Sequence, residues 1–212
     1  MATVIQASDS QGKELAEAGA QVDVAGGVGT DAAGGDLVAS LRAGRIGTRF
    51  IRSDPDVPTI VKWRIIAERQ QVVRVDWEGP SSVMRKYPAG WLRTLTQSVT
   101  GYDGVIFADY GKGGVERPLL ESLLAAAHRR GIPTALDPKD NHCLRIRGMT
   151  LATPNCKEAH VCAGLPARTR ILGNPLTDRA LKRAAETLRR LWSPDLLLIT
   201  PGAQGVYLSP RR

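Results

Sequence analysis

The stretch "GVIFADYGKGG", residues 104–114, is the strongest single indicator of the fold class in this chain. Its first five residues form an unbroken apolar run with β-branched and aromatic members, which is typical of a strand buried on both faces. The run ends at Asp109, and the glycines that follow predict a turn. Ligands of open α/β sheets bind at the carboxyl ends of the strands. The stretch therefore predicts a buried parallel strand that ends at a ligand-binding edge.

Apolar runs of strand length alternate with segments of helical period on both sides of this stretch. Strands are predicted over residues 22–25, 103–109, 132–137 and 195–200, and another begins near the C-terminus. Helices are predicted over residues 36–43, 117–130 and 177–192, and a further one begins near residue 155. This alternation predicts β-α-β units and a parallel sheet, so the fold class is α/β.

One segment, "PTIVKWRIIAERQQVVRVDWEG" (residues 58–79), interrupts the alternation. Two β-rich runs flank "AERQQ", which predicts an inserted antiparallel hairpin. Its polar residues Lys62, Arg64, Arg74 and Asp76 recur at period two and should share a face. The hairpin is either an exposed edge whose charges discourage aggregation or a lid over a small polar ligand. Spacing favours neither reading.

The net charge of +8 is concentrated in the last third of the chain. Residues 145–212 carry 12 basic and 4 acidic residues, whereas the earlier part is balanced. The basic residues could form the solvated face of one helix, or they could attract nucleic acid, an anionic membrane or phosphorylated small molecules. Aromatic residues do not alternate with the basic ones, which argues against a nucleic-acid partner.

The cysteines Cys143, Cys156 and Cys162 are odd in number and form no C-x-x-C pair, unlike a secreted disulfide framework. Cys156, His160 and Cys162 could bind zinc, but without a second ligand pair packing is the better explanation. No apolar run approaches the roughly 20 residues that span a bilayer. We therefore expect a protein of the reducing cytoplasm without a membrane partner.

Two predicted strands end in a carboxylate that a lysine follows. Asp109 is followed by Tyr110 and Lys112, and Asp137 is followed by Lys139. Carboxylates suit Mg²⁺ and lysine suits phosphate, so the pattern indicates a phosphate or Mg²⁺ site at this edge of the sheet. The alternative is that these residues serve only as N-caps and turn residues.

Two further motifs lie at predicted strand ends. In "TPNCKEA", Asn155 and Glu158 are three residues apart at a helix start, which fits either a capping box or the ligands of a hydrated Mg²⁺. In "TPGAQG", Thr200 offers a hydroxyl, and Gly202 and Gly205 permit a tight turn or a close approach to a ligand. Alone, this glycine turn is a weak motif.

Seven stretches of the sequence resemble motifs of the ribokinase-like (PfkB-type) carbohydrate kinases. In order along the chain, they are "VAGGVGTDAAGGDL", "PTIVKWRI", "QQVVRVDWE", "ADYGKGG", "GIPTALDPK", "LATPNCKEA" and "LLLITPGAQG". Within that family they are most similar to the branch that acts on heptose 7-phosphate, and the resemblance covers residues 12–208. It implies a three-layer α/β/α ribokinase-like fold, here incomplete, with a small inserted β-hairpin lid at about residues 58–79. The whole chain, residues 1–212, would be one partial kinase domain.

The resemblance also implies ATP-dependent phosphorylation of a sugar hydroxyl, with ATP and Mg²⁺ as cofactors. A sugar phosphate is the implied substrate. Apart from the resemblance, a homodimer is a further partner that we consider. The implied substrate-binding residues are Lys62, Arg64, Arg74 and Asp76 on the lid and Asp109, Tyr110 and Lys112 in the cleft. The implied nucleotide-binding residues are Thr200, Gly202, Gly205 and, less specifically, Lys139. Asn155 and Glu158 match the family's N-x-x-E, which organises Mg²⁺.

The chain departs from the family pattern at both ends. The family begins with a strand that bears a sugar-binding aspartate, followed by a G-G-x-x-N-x-A helix, whose Asn and small positions fall here on Ser10 and Gly12. The family's G-A-G-D motif, which supplies an anion hole and the catalytic base, does not occur in the 212 residues. We therefore expect the family's first strand and early sugar-binding half to be absent or replaced, no catalytic residue to be present, and the chain to be a truncated kinase that is inactive alone. The alternative function is a non-catalytic module whose basic last third binds an anionic partner such as RNA.

Overall fold

The computed structural model describes residues 2–5, 10–68, 70–78 and 87–210. The strands are β1 (Ala2–Ile5), β2 (Val22–Gly29), β3 (Gly47–Asp54), β4 (Val61–Ala67), β5 (Gln70–Trp77), β6 (Gly104–Ala108), β7 (Thr134–Asp137), β8 (Leu151–Ala152), β9 (Leu196–Ile199) and β10 (Tyr207–Pro210). The helices are α1 (Ser10–Glu17), α2 (Ala32–Ala43), α3 (Ala89–Ser98), α4 (Arg117–His128), α5 (Cys156–Cys162) and α6 (Arg179–Trp192).

Eight of these strands form one sheet in the order β10-β9-β8-β7-β6-β1-β2-β3. All neighbours pair in parallel except β10, which is antiparallel to β9. The carboxyl ends of the seven parallel strands consequently lie along the same edge of the sheet. The predicted parallel α/β sheet is confirmed, and this edge is where a ligand is expected.

β1 is a strand that the sequence analysis did not predict. β1 lies in the interior of the sheet, where Val4 pairs with Val24 of β2 on one side and with Ile106 of β6 on the other. The short run Ala2–Ile5 is too brief to be distinguished from a loop by its local pattern, but pairing on both sides satisfies its backbone groups. Residues 6–9, which follow it, lie outside the described residues.

Two helices begin directly after a capping aspartate, and one of them begins earlier than the apolar pattern predicted. The helix predicted over residues 36–43 begins at Ala32, because the Asp31 side chain accepts a hydrogen bond from Gly34 N at 2.8 Å. Asp178 caps α6 in the same way through Leu181 N. Among the described residues, no helix is long and apolar enough to cross a bilayer.

Two hydrophobic clusters cover the two faces of the sheet. Val22 and Val24 of β2 belong to the smaller cluster, which also contains Leu41 of α2. Val105 and Phe107 of β6 belong to the larger cluster, which includes buried residues of α3, α4, α5 and α6. Side chains alternate between the faces of a strand, so helices pack on both sides and give the three-layer α/β/α arrangement.

β4 and β5 form a separate two-stranded antiparallel sheet, as the sequence predicted for residues 58–79. Lys62 is opposite Asp76 and Arg64 is opposite Arg74, so these four polar residues do share a face. The other face is apolar over the same length and carries Val61, Trp63, Ile65, Val73, Val75 and Trp77. The hairpin is therefore amphipathic, with a charged face and an apolar face.

Cys156 and Cys162 pack in the core as expected, but the sequence analysis did not predict that two of the three cysteines are bonded to each other. Cys143 and Cys162 form a disulfide, with their Cα atoms 5.1 Å apart, whereas Cys156 is free and buried. The loop after β7 returns across the end of α5, and sequence spacing does not reveal this return. The structure also argues against a zinc site at Cys156, His160 and Cys162. The Cys162 sulfur is already bonded to Cys143, and His160 Nδ1 lies 2.7 Å from the carbonyl oxygen of Cys156.

Candidate active site

The carboxyl ends of β6, β7, β8 and β9 bring four sequence-predicted segments together. Asp109 N donates to Asp137 O at 2.9 Å, which joins the first residue after β6 to the end of β7. Asn155, after β8, forms a parallel bridge with Thr200, after β9. The predicted cleft residues, the predicted Mg²⁺ pair and the predicted phosphate loop therefore lie side by side along one edge of the sheet.

Asp109 is held by partners on both oxygens. Its Oδ1 accepts from Gly111 N at 2.8 Å, and its Oδ2 lies 2.8 Å from His142 Nδ1. Burial raises the pKa of the Asp109 carboxyl, and these hydrogen bonds oppose the rise. The sequence pattern missed His142, because it lies in the loop after β7 and far from Asp109 along the chain. The chain thus places a carboxylate–imidazole pair in the cleft.

Asn155 and Glu158 form the capping box at the start of α5. Asn155 Oδ1 accepts from Glu158 N at 2.9 Å, and Glu158 Oε2 accepts from Asn155 N at 2.8 Å. Lys139 Nζ lies 3.4 Å from Glu158 Oε1. Glu158 is only 5% exposed, and burial raises the pKa of its carboxyl, whereas Asn155 and Lys139 oppose the rise.

The Asn155 and Glu158 pair also fits a hydrated Mg²⁺. Each carboxylate oxygen can accept more than one hydrogen bond, so the capping box leaves acceptor capacity for metal-bound water. Mg²⁺ keeps several waters and needs few direct protein ligands. Within the described residues, no cluster of three or more His, Cys, Asp or Glu is arranged to hold a metal directly. The capping role is shown by the hydrogen bonds, and the metal role stays a prediction.

The turn after β9 is built from the predicted phosphate-loop residues. Thr200 N donates to Pro154 O at 3.1 Å, and Cys156 N donates to Thr200 O at 3.0 Å, so the turn is tied to the start of α5. Gly202 and Gly205 have φ of 78° and 90°, which favour glycine. No described atom lies within 4 Å of where their Cβ atoms would be, so the turn is open for a ligand to approach its backbone.

Lys112 connects the turn after β6 to the hairpin. Its ammonium group pairs with the Glu78 carboxylate just after β5. Lys112 also lines a small cavity of about 60 Å³ together with Asp54 and Thr59 at the base of the hairpin. This volume has room for a few water molecules. Tyr110, between Asp109 and Lys112, is half-buried.

The four predicted lid residues lie on the hairpin itself and are exposed. Arg74 and Asp76 form a bidentate pair, with Nε to Oδ1 at 2.8 Å and the second nitrogen to Oδ2 at 3.0 Å. Lys62 and Arg64 are the other cations of this face. The structure therefore groups the lid residues with one another, and it groups Asp109, Lys139 and Glu158 at the sheet edge.

The base of the hairpin is fixed by a pair that the sequence analysis did not single out. Thr59 donates from Oγ1 to Asp31 Oδ1 at 2.6 Å and from N to Asp31 Oδ2 at 2.8 Å. Gly29 N in turn donates to Thr59 Oγ1 at 2.8 Å. The sequence signal for this pair was the aspartate in "GTDAAG", which follows a strand that ends in glycine and is placed to cap the next helix. These bonds lower the pKa of the Asp31 carboxyl, the Thr59 hydroxyl contributing most.

Residues 12–211 match the family described as pfkB family carbohydrate kinase. The chain belongs to this family. It is 34% identical over 190 residues to the "Bifunctional protein HldE" of Trichlorobacter lovleyi. The aligned region covers 90% of this chain and 37% of that protein. It is 32% identical over 199 residues to the "D-beta-D-heptose 7-phosphate kinase" of Bordetella bronchiseptica. Here the aligned region covers 92% of this chain and 58% of that protein.

The fold of this pfkB-family chain matches solved kinase structures. The ribokinase of Arabidopsis thaliana, solved with ribose and ATP, superposes with a TM-score of 0.68 at 15% identity, over 95% of this chain and 62% of that one. The phosphofructokinase-2 of Escherichia coli superposes with a TM-score of 0.67 at 17% identity, over 95% and 62%. The expected ribokinase-like fold is confirmed, and the chain spans less than two thirds of these relatives.

Proposed function

We propose that this pfkB-family chain binds ATP and a sugar phosphate as part of a kinase that resembles heptose 7-phosphate kinase. The observation that carries the proposal is the bridge made by Lys139 between the two halves of the sheet edge. Its ammonium group lies 3.4 Å from Glu158 on the nucleotide side, and its charge opposes the rise that burial causes in the pKa of Asp109 on the substrate side. A cation that acts on both carboxylates suits the transfer of a phosphoryl group at this edge.

On the nucleotide side, the turn with Thr200, Gly202 and Gly205 would hold the phosphates of ATP through its hydroxyl and backbone N–H groups. Asn155 and Glu158 would hold Mg²⁺ through its bound waters. Mg²⁺ would neutralise charge on the phosphates when bound. The open space over both glycines supports this arrangement, because a phosphate can approach their backbone directly.

On the substrate side, Asp109 would orient a sugar hydroxyl, with His142 holding the carboxylate in place at 2.8 Å. Tyr110 and Lys112 would line the same cleft, Lys112 being already tied to the hairpin through Glu78. The charged face of the hairpin, with Lys62, Arg64, Arg74 and Asp76, would contact the sugar phosphate. Heptose 7-phosphate is the proposed substrate, because one relative, 32% identical over 199 residues, is named "D-beta-D-heptose 7-phosphate kinase".

The 212 residues contain no G-A-G-D sequence, so we propose that this polypeptide, tested alone, does not transfer phosphate. A positioned base contributes about 10²- to 10⁴-fold to the rate. Anion-hole donors contribute about another 10²- to 10³-fold. The groups of the proposed site would bind and position substrates, and they would not replace that aspartate.

Two partner proposals accompany this function. The apolar face of the hairpin supports a homodimer, because Trp63 and Trp77 are 62% and 65% exposed. The basic last third gives less support to the alternative of an RNA-binding module. Several of its arginines bind groups of the fold itself: Arg168 pairs with Asp178, and Arg147 donates to Ser193 Oγ at 3.1 Å. We place the kinase in the cytoplasm, where ATP is available.

The test is calorimetric titration with a non-hydrolysable ATP analogue, with and without Mg²⁺. We expect weak, Mg²⁺-dependent binding near millimolar, which is about 4 kcal/mol weaker than micromolar binding. Glu158→Ala together with Gly202→Val should abolish it. Tight binding indifferent to Mg²⁺ and to this double variant would refute the nucleotide site. Substrate-dependent ADP release that is lost in Lys112→Ala would refute the proposed inactivity while supporting the kinase assignment.

A further inference from the structure

The Cys143–Cys162 disulfide lies beside the candidate active site and is not used by the proposed function. It joins the loop after β7 to the last residue of α5, across 19 positions of sequence. We propose that this disulfide is a reversible redox-modification site that holds the loop of residues 138–145 in its active-site position. Its reaction partner is a dithiol reductant, such as a protein with a reduced C-x-x-C pair.

The loop carries three side chains that contact the sheet edge or α5. Lys139 faces Glu158 at 3.4 Å, and His142, next to Cys143, faces Asp109 at 2.8 Å. The third contact is the pair of Asp140 with Lys157 of α5 at 2.5 Å. Both ends of α5 are thus linked to one loop, its start through ion pairs and its end through the disulfide.

Two of the three noncovalent contacts of the loop are weak anchors. The Lys139 and Lys157 side chains are 41% and 49% exposed, and ion pairs of such exposed groups contribute little because solvent screens them. The disulfide, by contrast, removes much of the freedom of the chain between its two ends. The covalent link is therefore the strongest restraint that keeps Lys139 and His142 at the site.

The two sulfurs differ in access, which defines the reaction. Cys143 is half-buried, whereas Cys162 is buried. A thiolate of the dithiol attacks Cys143 Sγ, the S–S bond breaks, and Cys162 leaves as a thiolate that takes up a proton. The second thiol of the reductant then attacks the mixed disulfide and releases Cys143. Two electrons and two protons reach the protein, and the dithiol becomes a disulfide.

The remaining cysteine does not compete in this exchange. Cys156 lies on α5 between the two active-site segments, but it is only 3% exposed. Burial raises the pKa of the Cys156 thiol, which keeps it in the unreactive protonated form. Cys156 therefore provides a matched control on the same helix as Cys162.

The structural arm of the test measures hydrogen exchange and thiol alkylation on the whole chain. It compares the oxidised chain with the chain reduced by thioredoxin. We expect reduction to expose Cys143 and Cys162 to alkylation and to speed exchange of the amides of residues 139–144 by about tenfold or more. Cys143→Ser should exchange fast in both conditions, whereas Cys156→Ser should behave like the parent chain. Unchanged exchange in 139–144 on reduction, or reduction only under unfolding conditions, would overturn the proposal.

The functional arm rests on the proposed nucleotide site and is read separately. The Mg²⁺ complex of a non-hydrolysable ATP analogue should bind the oxidised chain more tightly than the reduced chain and the Cys143→Ser variant. Equal affinity in both redox states refutes redox control of binding and leaves the nucleotide site standing. If neither form binds the analogue, the proposed function fails, and the exchange of residues 139–144 alone decides whether the disulfide holds the loop.

Discussion

The Thr59 hydroxyl is 2.6 Å from Asp31 Oδ1 and accepts a hydrogen bond from Gly29 N at 2.8 Å, so one side chain joins β2, α2 and the hairpin. Thr59 is buried, although it precedes an exposed hairpin. The first turn of α2 therefore holds the base of the hairpin, and the orientation of the hairpin depends on this junction.

Replacing this hydroxyl should destabilise the fold. Thr59→Val keeps the shape but leaves the buried Gly29 N–H without its acceptor, which costs about 1–3 kcal/mol. Thr59→Ser keeps the hydroxyl and should cost less. Urea unfolding of the two variants measures the difference. Equal stability of Thr59→Val and the parent chain would show that the junction contributes nothing.

The same junction should make the chain sensitive to acid. Hydrogen bonds from Thr59 lower the pKa of Asp31 in the folded state, so the unfolded state binds more protons at mildly acidic pH. The stabilisation is fully present above the ordinary aspartate pKa and is lost as the pH falls through the lowered, folded value. Thermal unfolding followed from neutral to acidic pH should show a smaller loss in Thr59→Val than in the parent. A parallel loss in both would contradict the linkage.

Two adjacent glycines of α2 should respond oppositely to alanine. A Cβ on Gly34 would lie 2.3 Å from Gly29 O and 2.9 Å from Thr59 Oγ1, so Gly34→Ala should destabilise by about 1–3 kcal/mol or more. A Cβ on Gly35 would meet nothing within 4 Å, so Gly35→Ala should stabilise by about 0.4–1 kcal/mol. Denaturant midpoints of the two variants test this. A tolerated Gly34→Ala would mean that α2 and β2 separate easily.

Glu158→Gln should separate stability from binding. Burial raises the pKa of Glu158 in the folded state. The contribution of Glu158 to the free energy of unfolding is therefore fully present below the ordinary glutamate pKa, and it is lost as the pH rises through the raised pKa of the folded state. Glutamine keeps an acceptor for Asn155 N without the charge, so the melting temperature at neutral pH should be unchanged or higher. Mg²⁺-dependent nucleotide binding should weaken.

Asn155→Ala is the matched comparison for this variant. It removes the N-cap acceptor of Glu158 N and should destabilise by about 0.5–2 kcal/mol. A lower melting temperature for Glu158→Gln at neutral pH would indicate that the pair with Lys139 outweighs the cost of burying the carboxylate.

The apolar face of the hairpin should mediate self-association. Trp63 and Val75 lie opposite each other on this face, so Trp63→Lys with Val75→Lys should lower the mass measured by light scattering after sizing chromatography. Arg64→Ser, on the charged face, should leave the mass unchanged. A parent chain that remains monomeric at all concentrations would exclude this role for the face.

Short-range patterns accounted for much of the fold. The apolar run before Asp109 identified a buried strand, and the period-two polar residues between Lys62 and Asp76 identified the charged face of the hairpin. The three-residue spacing of Asn155 and Glu158 fitted the capping box that the structure contains. These features are readable because each depends on residues that are close in sequence, or on one element and its own turn.

Long-range pairing required the tertiary structure. β1 is central because both its edges find partners, β2 and β6, far away in the chain. The His142–Asp109 and Cys143–Cys162 pairs exist because the loop after β7 folds back between two strand ends and α5. Local propensity contains no information about such a return, since its position is fixed by packing and pairing across the whole sheet. The strand ends were thus encoded locally, whereas the contacts that join them at the candidate active site arose only when the sheet was assembled.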